Sequence, residues 1–406
     1  KIYLGYNDYK ELIRIEVLFM NKTLVKYPFL TEDVEIYERE NGHKIVLAHK
    51  EGELVNVSSW VKTGSINEDD KNNGISHFLE HLMFKGTHKH KAGYFDKTLE
   101  AKGAIVNAAT WKDYTFYYVT LPKGPENKDL YLAIELHADM MLDPVLPDEE
   151  IGAPFDLNDT KVSDKRERHV VIEEIRMRKD QNWTKVYNAC NFNMYKKHPY
   201  KRDVIGTPEI ISQVTRDEIM KYYQTFYSPE NITTIIVGDF DKKAVLEKVE
   251  KELKNKELLE KLKQVDPVKF EKIVLQLMEK MNYGIGSMTK MSHDGGIDGI
   301  IDEDELGLEK IYLQAKRYSD NKVNEKEMQN FAGALGCSTV RKGVFITTSF
   351  FDEKAKQKAA SVQGKVIRLI NGDELTKLMI KHNVGVQPKT TIEIKKLDED
   401  FFVDEG

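Results

Sequence analysis

The sequence predicts two mixed units in tandem, an α+β unit followed by an α/β unit. Three observations predict this. The chain has 406 residues, enough for two to three domains at about 150 residues each. Short runs of period-two apolar alternation interleave with helical patterns from Val34 to Asp239, and the same mixture returns from Val268 to Ile370. Between them lies a lysine- and glutamate-rich stretch at 242–263, KKAVLEKVEKELKNKELLEKLK, with the alternating charge of a solvated helix face. This places a boundary near Lys254.

Residues 1–33 carry no usable motif and are unassigned, although Ile13 to Phe19 alternates like a strand. VEIYERENGHKIVLAHK, from Val34, reads as two strands around Glu40-Asn41-Gly42-His43, and Val55 to Thr63 as a third. Helical patterns follow at Ile75–Phe84, Gly93–Ala101, Asp129–Leu142 and Arg168–Lys179, with strands at Ile105–Ala109, Tyr114–Leu121 and Asn231–Asp239. In the second unit the expected elements are a helix over Val268–Met281, strands near Asp298 and over Ile311–Lys316, and a helix over Glu325–Leu335. A strand over Gly343–Thr347, a helix over Asp352–Gln363 and a strand over Val366–Ile370 complete it. The expected division is 1–33 unassigned, 34–250 the first domain, 251–265 a helical linker and 266–406 the second domain. No internal repeat relates the halves.

Composition narrows the function classes. With 40% hydrophobic and 32% charged residues the chain can bury sizeable cores, which excludes the disordered class. A net charge of −6 excludes a global positive field for nucleic acid but permits a local basic groove. Cys190 and Cys337 are too few for a disulfide scaffold or a four-cysteine zinc site, and are expected to pack in the interior. The longest candidate, Ile232 to Val237, is strand-sized, so no membrane span is expected. The chain opens on Lys1, which leaves the compartment open.

Residues 77–81 read His77-Phe78-Leu79-Glu80-His81, an HxxEH pattern. Two histidines four apart on a helix share one face, as two imidazoles must to reach a single Zn²⁺. Glu80, three residues from His77, is placed to take a proton from water on the metal. Two surface histidines flanking a carboxylate are the bland alternative, and a third ligand has to come from elsewhere. His88, His90 and His198 are expected to be solvated loop histidines.

The surrounding text is GISHFLEHLMFKGT, then Gly103-Ala104-Ile105-Val106-Asn107-Ala108, then RERHVVIEEIRM. With GTPEIISQVTRDEIMKYYQTFYSPENITTIIVGDF it resembles the pitrilysin, insulysin and mitochondrial processing peptidase family, from about Val34 to Val249. The resemblance implies an antiparallel sheet with helices, a zinc ligand at Glu174 and a supporting carboxylate at Glu167. Seven residues separate that pair, close to two helical turns. Glu173, about 100° away on the helix, is the competing assignment. The resemblance also implies that Asn107 lies on an edge strand where an extended peptide adds. The 92 residues between His81 and Glu174 exceed the family's usual spacing, and Gly152 to Ser163 reads as an inserted loop. Active members pair the metal half with a homologous second half, which after Val249 is missing here; a separate second half or a homodimer is the implied partner.

From about Glu257 onward the text reads ELLEKLKQVDPVKFEKIVLQLMEKMNYG, HDGGIDGIIDEDELGLEKIYLQAKRY, NFAGAL and KGVFITTSFF. It resembles the catalytic domain of Mrr-type restriction endonucleases, a variant of the PD-(D/E)xK core. Asp298 takes the aspartate position, Gln314-Ala315-Lys316 follow on the next strand, and Glu271 on the preceding helix is the fourth member. Residues 314 and 316 share a strand face, so Gln314 and Lys316 can both approach an ion held by Asp298. The implied chemistry is phosphodiester hydrolysis with Mg²⁺ at Asp298 and Lys316 offsetting phosphate charge. Asp294 reads as a turn residue. Residues 251–406 hold 26 acidic and 26 basic side chains, so a DNA groove has to be local, with Lys316, Arg317, Lys322, Arg341 and Lys342 as its lining.

The leading expectation is a zinc-dependent endopeptidase or processing peptidase fused to a nuclease-like domain, a chimera acting on peptide or protein. The alternative is a Mg²⁺-dependent DNA endonuclease with the N-terminal half as scaffold, and a third class is a catalytically silent interaction protein. A functional nuclease implies the cytoplasm; a peptidase alone implies the periplasm or an organelle.

Overall fold

The computed structural model describes residues 21–158, 166–289, 297–304, 306–319 and 321–387. The strand expected over Ile13 to Phe19 and the turn at Asp294 lie outside the described residues.

The N-terminal sheet is built from β1 (Asn21–Val25), β2 (Val34–Glu38), β3 (Lys44–His49), β4 (Leu54–Val61), β5 (Ile105–Thr110), β6 (Thr115–Pro122) and β7 (Ile232–Gly238). Its order is β1-β2-β3-β7-β4-β6-β5, antiparallel except for the β3–β7 pair. Its helices are α1 (Ile75–Met83), α2 (Tyr94–Glu100), α3 (Lys128–Leu142), α4 (Asp148–Ile151), α5 (Glu167–Asp180), α6 (Asn182–Met194), α7 (Pro208–Ile211) and α8 (Arg216–Phe226). Alternation along β7 buries Ile232, Thr234 and Ile236 on one face, as expected of a strand covered by helices. One core joins α1, α5 and α8 to Val61, Tyr117 and Ile232. A second joins β3, β4, β6 and β7 to α3 and to α9 (Lys242–Gln264).

The C-terminal unit comprises α10 (Pro267–Lys280), β8 (Ile285–Met288), β9 (Gly299–Asp302), β10 (Lys310–Lys316), α11 (Glu325–Gly336), β11 (Lys342–Thr347), α12 (Glu353–Ala360), β12 (Val366–Ile370) and α13 (Gly372–Lys381). Its mixed sheet runs β12-β11-β10-β9-β8, with β10, β11 and β12 parallel. Strand alternation divides its two faces: Val344 and Ile346 pack with α10 and α13, whereas Phe345 packs with α11 and α12. Caps set several helix starts, including an Asn324–Glu327 capping box on α11 and Asp266 before Pro267 on α10.

The stretch expected to be a solvated linker is instead a shared spine. Helix α9 runs 23 residues without a break at Lys254. Val245, Leu246, Val249 and Leu253 enter the N-terminal core, and Leu258 and Leu262 enter the C-terminal one. Two short apolar stripes, each facing a different core, are diluted by the intervening charges, which hides the periodicity. Lys256 on this helix is largely covered, and its Nζ lies 2.6 Å from Asp139, 3.0 Å from Asp143 and 3.8 Å from Asp373. Burial alone would lower its pKa, yet the carboxylates raise it, so the ammonium stays charged and ties α3 to α13. Lys89 adds a second tie, 2.8 Å from Glu135 and 3.6 Å from Asp373.

Three sequence expectations are corrected. Cys190 and Cys337 are both exposed, because α6 buries none of its residues and Cys337 caps the end of α11. His88 is not a free loop histidine: its Nδ1 lies 2.8 Å from Asp143, a partner 55 residues away in sequence. His90 stacks on Tyr94 with centroids 4.1 Å apart.

His43 and His137 line one small cavity between β7, α3 and α9. Burial lowers both pKa values to about 4, with Arg39 contributing at His43. The unfolded imidazoles take protons near pH 6.5 and the folded ones only near pH 4. The stability held by these neutral rings is therefore complete above about pH 6.5 and lost as pH falls toward 4, by up to about 3 kcal/mol each. Denaturant titrations at pH 7 and pH 4.5 should show this loss, and a His43→Gln/His137→Gln variant should show a shallower one; an equal pH slope in both proteins would remove the two histidines from the account.

Candidate functional site

Helix α1 starts after Gly74, which adopts a left-handed φ of 96° and offers no side-chain cap. The cap is supplied from outside. The buried Glu68 carboxylate accepts from Gly74 N at 2.8 Å, Ser76 N at 2.9 Å and Asn73 Nδ2 at 2.8 Å, and from the Ser76 hydroxyl. A Cβ at Gly74 would meet the Ile205 carbonyl oxygen at 2.6 Å, so glycine lets the helix start against that segment.

One turn of α1 then presents His77 and His81 side by side, ring centroids 4.7 Å apart. Glu174 comes from α5: its Oε2 lies 3.7 Å from His77 Nε2 and 3.4 Å from His81 Nε2. Ligand atoms of these three residues lie within 4.8 Å of one another, and this is the one group of three such residues among those described. Tetrahedral zinc with bonds of about 2.0–2.1 Å places its donors roughly 3.3 Å apart, so the spacing fits the ion. Glu173 points away, is exposed and pairs with Arg176.

Glu167 sits behind His81 and not among the converging atoms. Its Oε1 lies 2.8 Å from His81 Nδ1, and its other oxygen pairs with Lys85. A carboxylate accepting from Nδ1–H orients the ring so that Nε2 faces Glu174 and is the nitrogen that would ligate a metal. Burial opposes protonation of both rings: it brings His77 to about 4, whereas at His81 Glu167 and Glu174 outweigh it and raise the pKa to about 9. Glu174 is held low chiefly by His81.

Glu80 is buried, and burial pushes its carboxyl up against the lowering effect of a hydrogen bond from the Thr110 hydroxyl. Asn107 stands exposed on β5, the edge strand of the sheet among the described strands, with its Oδ1 accepting from Ala108 N at 2.8 Å. Sequence reasoning missed Glu68, Thr110 and Lys85; each acts across the chain on a motif residue and carries no local pattern.

The second cluster gathers at one end of the C-terminal sheet. Asp298, just before β9, accepts from Gln314 Nε2 at 3.1 Å and from Ala315 N at 2.8 Å. Its carboxyl is raised by burial, with the Ala315 N–H and Lys316 acting in the opposite direction. Glu271 on α10 is raised by burial and by the Asp298 charge, with Lys316 opposing, so all four residues share one electrostatic neighbourhood. Gln314 is 2% exposed and its amide is already committed to Asp298.

The expected DNA lining does not hold together. Arg341 and Lys342 lie at the far end of the parallel pair, since Lys342 registers with Ile311 and Thr347 with Lys316. Lys342 also pairs with Glu303 at 2.7 Å, and Arg317 donates to the Lys263 carbonyl. Lys316 and Lys322 remain.

Three family models match the chain. Residues 44–208 match the insulinase model, peptidase family M16, and residues 213–282 match the M16 inactive domain. Residues 262–379 match a restriction endonuclease catalytic model, Mrr_cat. The peptidase likeness thus runs past Val249 and overlaps the nuclease likeness across α10, a helix whose Phe270, Val274 and Leu277 pack in the C-terminal core. The zinc protease PqqE of Helicobacter pylori is 32% identical over 64% of this chain and 53% of its own length. An uncharacterized zinc protease of Bacillus subtilis, YmxG, is 32% identical over 51% of this chain and 46% of its own. The type IV methyl-directed restriction enzyme EcoKMrr of Escherichia coli is 46% identical over 36% of this chain and 48% of its own. The chain spans about half the length of these relatives.

Proposed function

We propose that this chain, in which an M16 peptidase region is joined to an Mrr-type nuclease region, hydrolyses peptide bonds at a zinc centre held by His77, His81 and Glu174. The observation that carries this reading is the convergence of those three side chains with the buried Glu80 carboxyl beside them. When bound there, zinc supplies acidified water and polarises the substrate carbonyl. Glu80, its pKa raised by burial, takes the proton from the attacking water and returns it to the departing amine. Thr110 holds Glu80 in place, and Glu167 holds the His81 ring. The substrate is a peptide or protein segment laid as an added strand along β5 past Asn107. A homologous second half, or a second copy of the chain, closes the chamber. The domain division follows the cores: the peptidase unit ends, and the nuclease unit begins, within α9.

Metal analysis tests the ligand set. The purified protein should hold about one Zn²⁺ per chain. Glu174→Gln should strip it, Glu173→Gln should not, and Glu167→Gln should weaken it about 10- to 100-fold. Loss of zinc from Glu173→Gln with retention in Glu174→Gln would reverse the assignment.

A second reading, DNA hydrolysis at Asp298 with Mg²⁺, is favoured by one observation: α10, β9 and β10 assemble Glu271, Asp298, Gln314 and Lys316 without any residue of the N-terminal sheet. On this reading the N-terminal half is a scaffold.

A further inference from the structure

The turn that leaves α1 touches both units of the chain. At its start, Lys85 pairs with the Glu167 carboxylate, whose other oxygen lies 2.8 Å from His81 Nδ1. Four residues later, Lys89 Nζ lies 2.8 Å from Glu135 on α3 and 3.6 Å from Asp373 on α13 of the C-terminal unit. One short segment therefore reaches from the group behind a candidate metal ligand to the other half of the molecule.

Between those ends the segment is closed on itself and pinned along its flank. Thr87 N donates to the His90 carbonyl at 2.8 Å, and His90 N donates back to the Thr87 hydroxyl oxygen at 3.0 Å. His88 N donates to the Asp143 carbonyl at 3.3 Å, and Val145 N donates to the Gly86 carbonyl at 3.1 Å. The Thr87 hydroxyl donates to Asp139, one of the carboxylates that Lys256 joins to Asp373. A turn bonded in this way moves as one piece, so a displacement at Lys89 is carried to Lys85. On the far side, α13 is fastened to the strand end that bears Lys316. Thr348 N donates to the Lys316 carbonyl at 3.2 Å, and Gly372 N, one residue before Asp373, donates to the Ser349 carbonyl at 3.0 Å. A Cβ at Gly372 would meet the Thr348 carbonyl oxygen at 2.5 Å, so this close approach requires glycine.

We propose that residues 84–91 form a strap through which metal occupancy of the His77, His81 and Glu174 cluster and the docking of α13 stabilise each other. This rests on the metal site of the reading above, not on its peptide chemistry. With the His81 ring held by a bound ion, Glu167 is fixed, and with it Lys85; a fixed strap in turn keeps Lys89 against Asp373. Linkage makes the effect reciprocal, so whatever loosens α13 weakens metal binding by the same factor. The coupling acts on affinity and on local opening, and leaves the residues of each cluster to their own chemistry.

The test measures zinc affinity of the full chain by chelator competition. Asp373→Asn and Lys89→Met should each weaken zinc binding about five- to tenfold, and Lys89→Arg should restore most of the loss. Glu374→Gln, the next residue on α13 but paired with the exposed Arg368, should leave the affinity unchanged. Asp373→Asn and Lys89→Met remove opposite charges, so a field acting through space would shift zinc affinity in opposite directions, whereas the strap weakens it in both. Hydrogen exchange in α13 should slow at least about fivefold when zinc is added to the wild type, and should not respond in Lys89→Met. Opposite shifts in the two variants, unchanged affinity in both, or exchange in α13 that ignores zinc overturns the strap. Zinc binding coupled to α13 without peptide hydrolysis by the wild type would overturn the peptidase reading and leave the strap standing; hydrolysis with a zinc affinity indifferent to both substitutions would overturn the strap alone.

Discussion

Glu80→Gln is expected to keep its zinc and to lose about 10²- to 10⁴-fold in kcat on peptides, the usual span for removal of a general base. The separation of the two effects follows from geometry. Glu80 lies outside the three converging donors and is held by Thr110, so an isosteric amide leaves the ligands in place. Thr110→Val should produce a smaller loss, because the carboxyl survives but is no longer oriented. Peptide hydrolysis by Glu80→Gln at wild-type rate, or parallel loss of zinc and activity, would remove Glu80 from the role of base.

Asp298→Ala is expected to abolish Mg²⁺-dependent plasmid nicking, by about 10³-fold or more, and Lys316→Ala to approach the same loss. One residue anchors a cation and the other offsets phosphate charge, each a matter of several kcal/mol at the transition state. Asp298→Asn should be nearly as inactive although it can still accept from the Ala315 N–H, because the charge and not the hydrogen bond is needed. His77→Ala should nick DNA as the wild type does. Nicking that survives Asp298→Ala, or disappears with His77→Ala, would show that the two clusters are not separate centres. Cleavage should weaken steeply with salt, since phosphate contacts dominate. Lys322→Ala should then matter more than Arg341→Ala, which alters a residue at the other end of the sheet.

What could be read from sequence depended on how far apart the cooperating residues lie. His77, Glu80 and His81 fall within one helical turn, so their spacing alone marks them as a candidate metal motif. Glu174 and Glu167 needed a resemblance, because nothing local says that α5 crosses α1. Thr110 on Glu80, Glu68 on the start of α1 and Asp143 on His88 were not legible at all: each pairing spans six to tens of residues and is made only in the folded chain. Elements show the same division. Strands with one buried face were legible from alternation, whereas α6 gave no helical signal because it buries no residue and so has no apolar stripe to display. Gln314 and Lys316 were placed by strand period, but that Gln314 spends its amide on Asp298 is a tertiary fact.

The continuous α9 makes the join between the halves a matter of rotational phase. A helix turns about 100° and rises about 1.5 Å per residue, so inserting one residue at its midpoint would swing the C-terminal sheet through more than a quarter turn relative to the N-terminal sheet. Lys256 could then face either the Asp139 and Asp143 side or the Asp373 side, but not both. An insertion of seven residues, about two turns, would nearly restore the angle while pushing the two side-chain clusters about 10 Å further apart. The two units are thus geared: their mutual orientation is written in the residue count of one helix.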